Sequence, residues 1–288
     1  MKRSILFLLL FVAALRLALP SPQSVHPPLI GDDIDLTAPF SNGETLVFEV
    51  NWKPLFFIPA FKAGEIRLRV EDSSYNGRET YRIQAWAVSD GALSRIAGTV
   101  VQNYYESEID RRSFHSYRSF QQIRQGQRQR DMELLLDYER DRITYRETDP
   151  STNPPRLLRS TNKTGIPSGA TDIVSVFYVA RLRVLPVGRT FSLHLTSRGD
   201  FEEIRVTAEG EARVSTPAGR FNSVKVTTIG GLFQEGGDLR VWVSRDDLRI
   251  PIRFESTVNF GRVYGRLIRL ESPQLHRGLI RISEAAVP

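Results

Sequence analysis

The chain contains no cysteine, which excludes a disulfide framework, a thiolate metal site, a cysteine nucleophile and a lipid-modified cysteine behind a leader. Stability must therefore come from an apolar core, and 288 residues with 41% hydrophobic content suffice to build one. Histidine is scarce. Its four copies, at positions 26, 115, 194 and 276, stand outside metal-ligand spacing of one another. Lysine supplies only five of the 39 basic residues, and the arginines are spread through the chain with no run of four. Such a distribution reads as solvated surface, and no nucleic-acid partner is expected. No Gly-x-Ser-x-Gly occurs, and Ser89-Asp90-Gly91 has no histidine near it in sequence. The glycine pairs 230–231 and 236–237 flank Leu-Phe-Gln-Glu as a loop rather than a phosphate cradle. No catalytic residue, metal or cofactor is expected.

Long apolar runs are also missing, with one exception. Residues 1–20 (MKRSILFLLLFVAALRLALP) join a basic start at Lys2 and Arg3 to an apolar run too short to span a bilayer comfortably. This reads as a signal peptide, with a short N-terminal anchor as the alternative because Arg16 interrupts the run. The expected location is periplasmic or in the cell envelope, with no transmembrane segment after signal removal. Cleavage there would lower the formal charge from +6 to +3.

Residues 21–39 hold four prolines without apolar periodicity and read as a linker. From Phe40 the pattern changes to alternation of period two, as in Leu46, Phe48 and Val50 or Ile66, Leu68 and Val70. That spacing gives strands with one buried and one wet face. Asn76-Gly77 and Gln125-Gly126-Gln127 supply hairpin tips. The sequence thus predicts a single mainly β domain over residues 40–272. A meander covers 43–148, a loop and helix 150–188, and a second meander 190–272, with a tail at 273–288. Residues 150–168 break the strand rhythm and read as a long connection, and 90–97 as a helical turn or wide loop.

The best helix lies in TDIVSVFYVARLRVLPVG. Ile173, Val176, Phe177 and Ala180 fall at i, i+3, i+4 and i+7, Asp172 can cap the start, and Pro186 and Gly188 end it. Asp172, Ser175, Tyr178 and Arg181 form a polar row beside that face, expected as a cap plus a solvated stripe whose arginine meets an acid. Asp246 and Asp247 sit between two alternating segments, so they read as hairpin-turn residues rather than a catalytic pair. NWKPLFFIPAFKAG crowds Trp52, Phe56, Phe57 and Phe61 around two prolines. This is either a plug over the core or the rim of an apolar pocket.

These landmarks resemble a family of exported bacterial proteins carrying a domain of unknown function. The resemblance rests on Gly43-Glu44-Thr45-Leu46, Lys62-Ala63-Gly64, the segment around the helix, Ser215-Thr216-Pro217-Ala218-Gly219-Arg220-Phe221, and VWVSRDDLRIPIRFE. It covers residues 40–272 and implies a large antiparallel sheet curled into an open or half barrel, with one main helix packed near its mouth. It is similar to the half barrels of lipoprotein carriers and implies no established activity. The leading expectation is a non-enzymatic binder of a lipid, lipoprotein or other apolar ligand on the concave face. Its lining would be Trp52, Phe56, Phe57, Phe61 and Tyr178, with Arg181 as head-group partner. A structural module docking an envelope protein is the second reading, and a hydrolase of envelope material the third.

Overall fold

The computed structural model describes residues 37–55, 59–89, 91, 98, 100–229, 239–258 and 261–276. The signal segment, most of the linker, residues 90 and 92–97, the glycine-flanked loop 230–238 and the tail beyond 276 lie outside the described residues. Fifteen strands make up one sheet. They are β1 (Thr45–Pro54), β2 (Phe61–Tyr75), β3 (Arg78–Ser89), β4 (Gln102–Asp110), β5 (Ser116–Gln125), β6 (Arg128–Asp137), β7 (Arg142–Asp149) and β8 (Arg156–Lys163). After the helical segment and β9 (Ala170–Thr171) come β10 (Thr190–Ser197), β11 (Asp200–Thr216), β12 (Gly219–Ile229), β13 (Leu239–Ser244), β14 (Pro251–Val258) and β15 (Gly261–Glu271). No helix among the described residues is long and apolar enough to cross a membrane.

The sheet order, β8 to β1 followed by β15 to β9, is two meanders laid side by side. Hairpins are the cheapest connection between alternating strands, and among the described residues the meanders pair with each other through β1 against β15. Asn76 and Gly77, both at positive φ, close the β2–β3 hairpin as the sequence suggests. The pairing is antiparallel except for β9, which runs parallel to β10. The sheet curls without closing, and at its open side Lys163 at the end of β8 meets Asp200 at the start of β11.

Three segments differ from the sequence-based expectation. The supposed long connection at 150–168 contains β8, an edge strand solvated on both faces, so it carries no alternation to read. The helix shrinks to one α-turn, α1 (Val176–Val179), continued by a 3-10 turn over Ala180–Leu182. Its β-branched residues resist a longer helix, and its bonds mix i→i−3 and i→i−4, as in Tyr178 and Val179, which both donate to the Ser175 carbonyl. The tail opens with a second short helix, α2 (Pro273–His276).

Many arginines do more than solvate the outer face. Arg118 on β5 bridges Glu106 on β4 at 2.9 Å and Glu133 on β6 at 2.8 Å, and Arg82 on β3 meets Glu108 at 2.7 Å. Such pairs fix register across the first meander; each contributes at most about 1 kcal/mol when exposed.

Candidate functional site

The helical segment divides the space inside the curl, and its two rows of side chains face different halves of the sheet. The polar row is buried, not solvated: Asp172, Ser175, Tyr178 and Arg181 are each 3% exposed or less. Burial follows because the sheet wraps around the segment on both sides. Asp172 Oδ1 accepts the backbone N–H groups of Val174 and Ser175 at 2.9 and 3.1 Å, which is the capping role its position suggests. Its Oδ2 accepts the hydroxyls of Ser107 on β4 and Ser116 on β5, so the cap also pins the segment to the first meander.

Arg181 does meet an acid, and the acid is fully buried. Its Nη1 donates to Glu44 Oε1 at 2.5 Å and its Nη2 to Glu44 Oε2 at 3.0 Å, a bidentate pair. Nη2 also donates to the Pro39 carbonyl and Nε to the Leu248 carbonyl, both at 3.0 Å. Burial works against the guanidinium's charge, yet Glu44 beside it holds the pKa above its ordinary value. Phe40 and Tyr178 flank the same group with their rings, and Tyr178 packs edge-on against Phe40. Burial, and then the charge of Glu44, push the Tyr178 phenol well above its usual range.

The apolar row turns toward the other half, with Ile173 and Phe177 also packing against the large core cluster. Ile173, Val176, Phe177 and Ala180, the four positions read as one face from their spacing, all line a pocket whose floor is β10–β13. Cross-strand pairs pave that floor: Leu193 opposite Ile204, Val206 opposite Thr228, and Val226 opposite Val241. The cavity has a volume of about 80 Å³, and the space around it, open solvent at the mouth included, comes to about 750 Å³. The pocket is a slot with little free space between the helical segment and the sheet. Two arginines, Arg181 and Arg249, are the charged residues of its lining, and no carboxylate joins them.

The sequence-predicted site residues are not all brought together. Trp52 and Phe61 face each other across β1 and β2, with ring centroids 5.4 Å apart, in a small separate cluster with Val50, Ala63, Val101 and Val263. β1 runs through to Pro54 and β2 starts at Phe61, so the connection between them is shorter than the aromatic composition suggests. Phe56 and Phe57 lie outside the described residues. Tyr178 belongs to the large core cluster, and Arg181 both lines the pocket and closes on Glu44. Sequence reasoning did not single out Leu193, Leu195, Ile204 or Val206, which form the pocket floor. The signal available for them is that the pocket-facing positions of β11–β13 are all aliphatic or Thr, the rings of the lining coming from Phe177 and from Phe191 on β10.

Asp246 takes the turn role expected of it. Its Oδ1 accepts the Ser244 hydroxyl at 2.7 Å and the backbone N–H groups of Leu248 and Arg249 at 3.2 Å. His115 sits in another turn. Its Nδ1 lies 2.7 Å from Ser113 Oγ, which donates to Asp110. Burial opposes the Asp110 charge, but the N–H groups of Ser113 and Arg112 and the hydroxyls of Tyr117 and Ser113 hold its carboxyl down to about 2.

Residues 47–267 match a family described as protein of unknown function (DUF3108). The fold is similar to that of a β-barrel-like protein of the unknown-function domain DUF1849 from Brucella abortus. The TM-score is 0.54 at 9% identity, over 81% of this chain and 98% of that one. A candidate exported protein from Bacteroides fragilis with a YmcC-like fold aligns at TM-score 0.29 and 14% identity, over 83% of this chain and all of that one. A lipoprotein candidate from Parabacteroides distasonis aligns at TM-score 0.31 and 12% identity, over 82% and all of the respective chains. No curated protein matches the chain in sequence.

Proposed function

Because the chain belongs to the DUF3108 family, whose description assigns no activity, we propose a function from the pocket itself: a non-enzymatic protein that holds a lipid or other apolar ligand between the helical segment and β10–β13. The observation that carries this reading is a slot walled almost entirely by hydrocarbon and partly open to solvent. Burying hydrocarbon there is favourable by roughly 0.8 kcal/mol per methylene and needs no catalytic group. The basic and apolar start of the chain supports export to the cell envelope as its place of work.

A hydrolase finds less support. The nearest approach to a catalytic arrangement, His115 with Ser113 and Asp110, is a turn whose carboxylate is already occupied by four donors. A docking module is favoured by a different observation, the solvated β8 edge with Leu157 and Leu158 exposed. Native mass spectrometry of the protein purified from a bacterial host tests the leading reading. An apolar small molecule should co-purify with the wild type and be lost from Val206→Phe, which fills the slot. A wild type that carries nothing and takes up no added lipid would leave the docking module ahead.

A further inference from the structure

The pocket's polar groups are all turned to the protein itself. Thr228 Oγ1 donates to the Leu239 carbonyl at 3.2 Å. Arg181 directs Nε, Nη1 and Nη2 to Leu248, Glu44 and Pro39. Arg249 Nε donates to the Arg181 carbonyl, and the residue is engaged further within the protein. A ligand with a hydroxyl or carbonyl along its buried length would meet no partner among these described walls. Leaving such a group unpaired costs roughly 5- to 100-fold in affinity.

Volume sets how much hydrocarbon can enter. A methylene fills about the ~30 Å³ that a water takes in the liquid, so one sixteen-carbon chain needs about 480 Å³ and two need about 960 Å³. The space of about 750 Å³ counts open solvent at the mouth as well, so it is an upper bound, and two such chains exceed it.

Resting on the apolar-ligand reading, we propose that the ligand is a single unbranched acyl chain, recognised by the chain alone, with its polar end outside the pocket. A fatty acid, a monoacyl phospholipid and the acyl group of a lipidated peptide share that chemistry. The length it accepts depends on Ala180, a small side chain of the 3-10 turn that lines the slot together with Val206 and Val226.

The test is competition against dansyl-undecanoic acid on the full chain, using saturated fatty acids of eight to eighteen carbons. The matching alcohols, a lysophosphatidylcholine, a palmitoylated peptide, a diacyl phosphatidylcholine and cholesterol complete the set. Affinity should rise about fourfold per methylene to a plateau. Acid and alcohol of one length should agree within about threefold, and the diacyl lipid and cholesterol should compete at least 30-fold more weakly. Ala180→Leu, or Val241→Leu should that variant fail to fold, should bring the plateau two or three carbons earlier, a shift that loss of stability alone does not produce. Among the fatty acid, lysolipid and lipopeptide of equal chain length, a preference that stays below tenfold identifies the source. A tenfold head-group preference shared across all chain lengths, equal competition by the diacyl lipid, or an unmoved plateau in the folded variant would overturn the single-chain assignment while leaving an apolar site in place. Failure of the probe itself to bind would instead remove the pocket reading, and this assignment with it.

Discussion

Leu134 on β6 and Leu193 on β10 are leucines of one sheet, 5% and 3% exposed, yet the first looks onto a packed core and the second onto a void. The strands around them alternate in the same way. The difference lies in what stands above the floor. In the first half the inward space is filled by Phe40, Phe48, Tyr81, Tyr105, Phe114 and Tyr145, and aromatic rings carry volume that aliphatic side chains do not. In the half made by β10–β13 the fully buried residues are all aliphatic, and the rings packed against them, Phe191 and Phe254, are only partly buried. The helical segment then serves both halves, sealing one with its polar row and roofing the other with its apolar row. Alternation fixes which face is inward; side-chain volume decides whether that face is core or cavity.

The wall between the halves should show the largest effect. Glu44→Gln or Arg181→Met leaves a buried charge or its partner uncompensated and should cost about 3–5 kcal/mol in denaturant melts. A loss below about 1 kcal/mol would mean that the pair does not hold the segment in place. Next comes the leucine comparison itself. Leu134→Ala should cost about 3–5 kcal/mol, because it opens a new cavity, whereas Leu193→Ala should fall near 2 kcal/mol because it only enlarges an existing one. Equal losses would say that both halves are packed alike.

A smaller effect belongs to pH and to the first half alone. Burial, against a smaller opposing pull from Asp110, holds the His115 imidazole below its ordinary value, with Arg78 adding to the depression. The unfolded chain therefore binds the proton more readily, so this contribution to stability is complete above about pH 6.5 and is lost as pH falls from there through the folded-state value. Melts between pH 8 and pH 5 should show that slope in the wild type and a flatter one in His115→Asn. Asp246→Asn should do least, about 1 kcal/mol or less, because an amide oxygen can accept the same three hydrogen bonds.

How far the sequence reached follows the same division. Strands, hairpin tips and the turn at Asp246 were legible because each depends on neighbours within a few residues, as Asn76-Gly77 and the Ile66, Leu68, Val70 alternation show. The apolar face of the helical segment was legible too, since its spacing is set by the helix itself. The burial of Arg181 was not, because Glu44 lies 137 residues away in the chain and nothing local announces the pairing. The edge strand β8 was invisible for the opposite reason: solvated on both sides, it leaves no apolar pattern. The pocket floor was readable as strand but not as floor, because a void is a property of what two distant segments fail to fill. The aromatic cluster around Trp52 drew attention by composition alone, and Trp52 and Phe61 pack against each other, with Val50, Ala63 and Val263, rather than against the slot.

The account stands on the half that is lined but not filled. Titrating dansyl-undecanoic acid into lipid-stripped wild type and into Val206→Phe tests that claim most directly. Saturation at one ligand per chain for the wild type, with affinity at least tenfold weaker in the variant and no fall in its thermal midpoint, is the predicted result, since the added ring occupies space already empty. Undiminished binding by a folded Val206→Phe, or a wild type that binds no ligand at all, would contradict it.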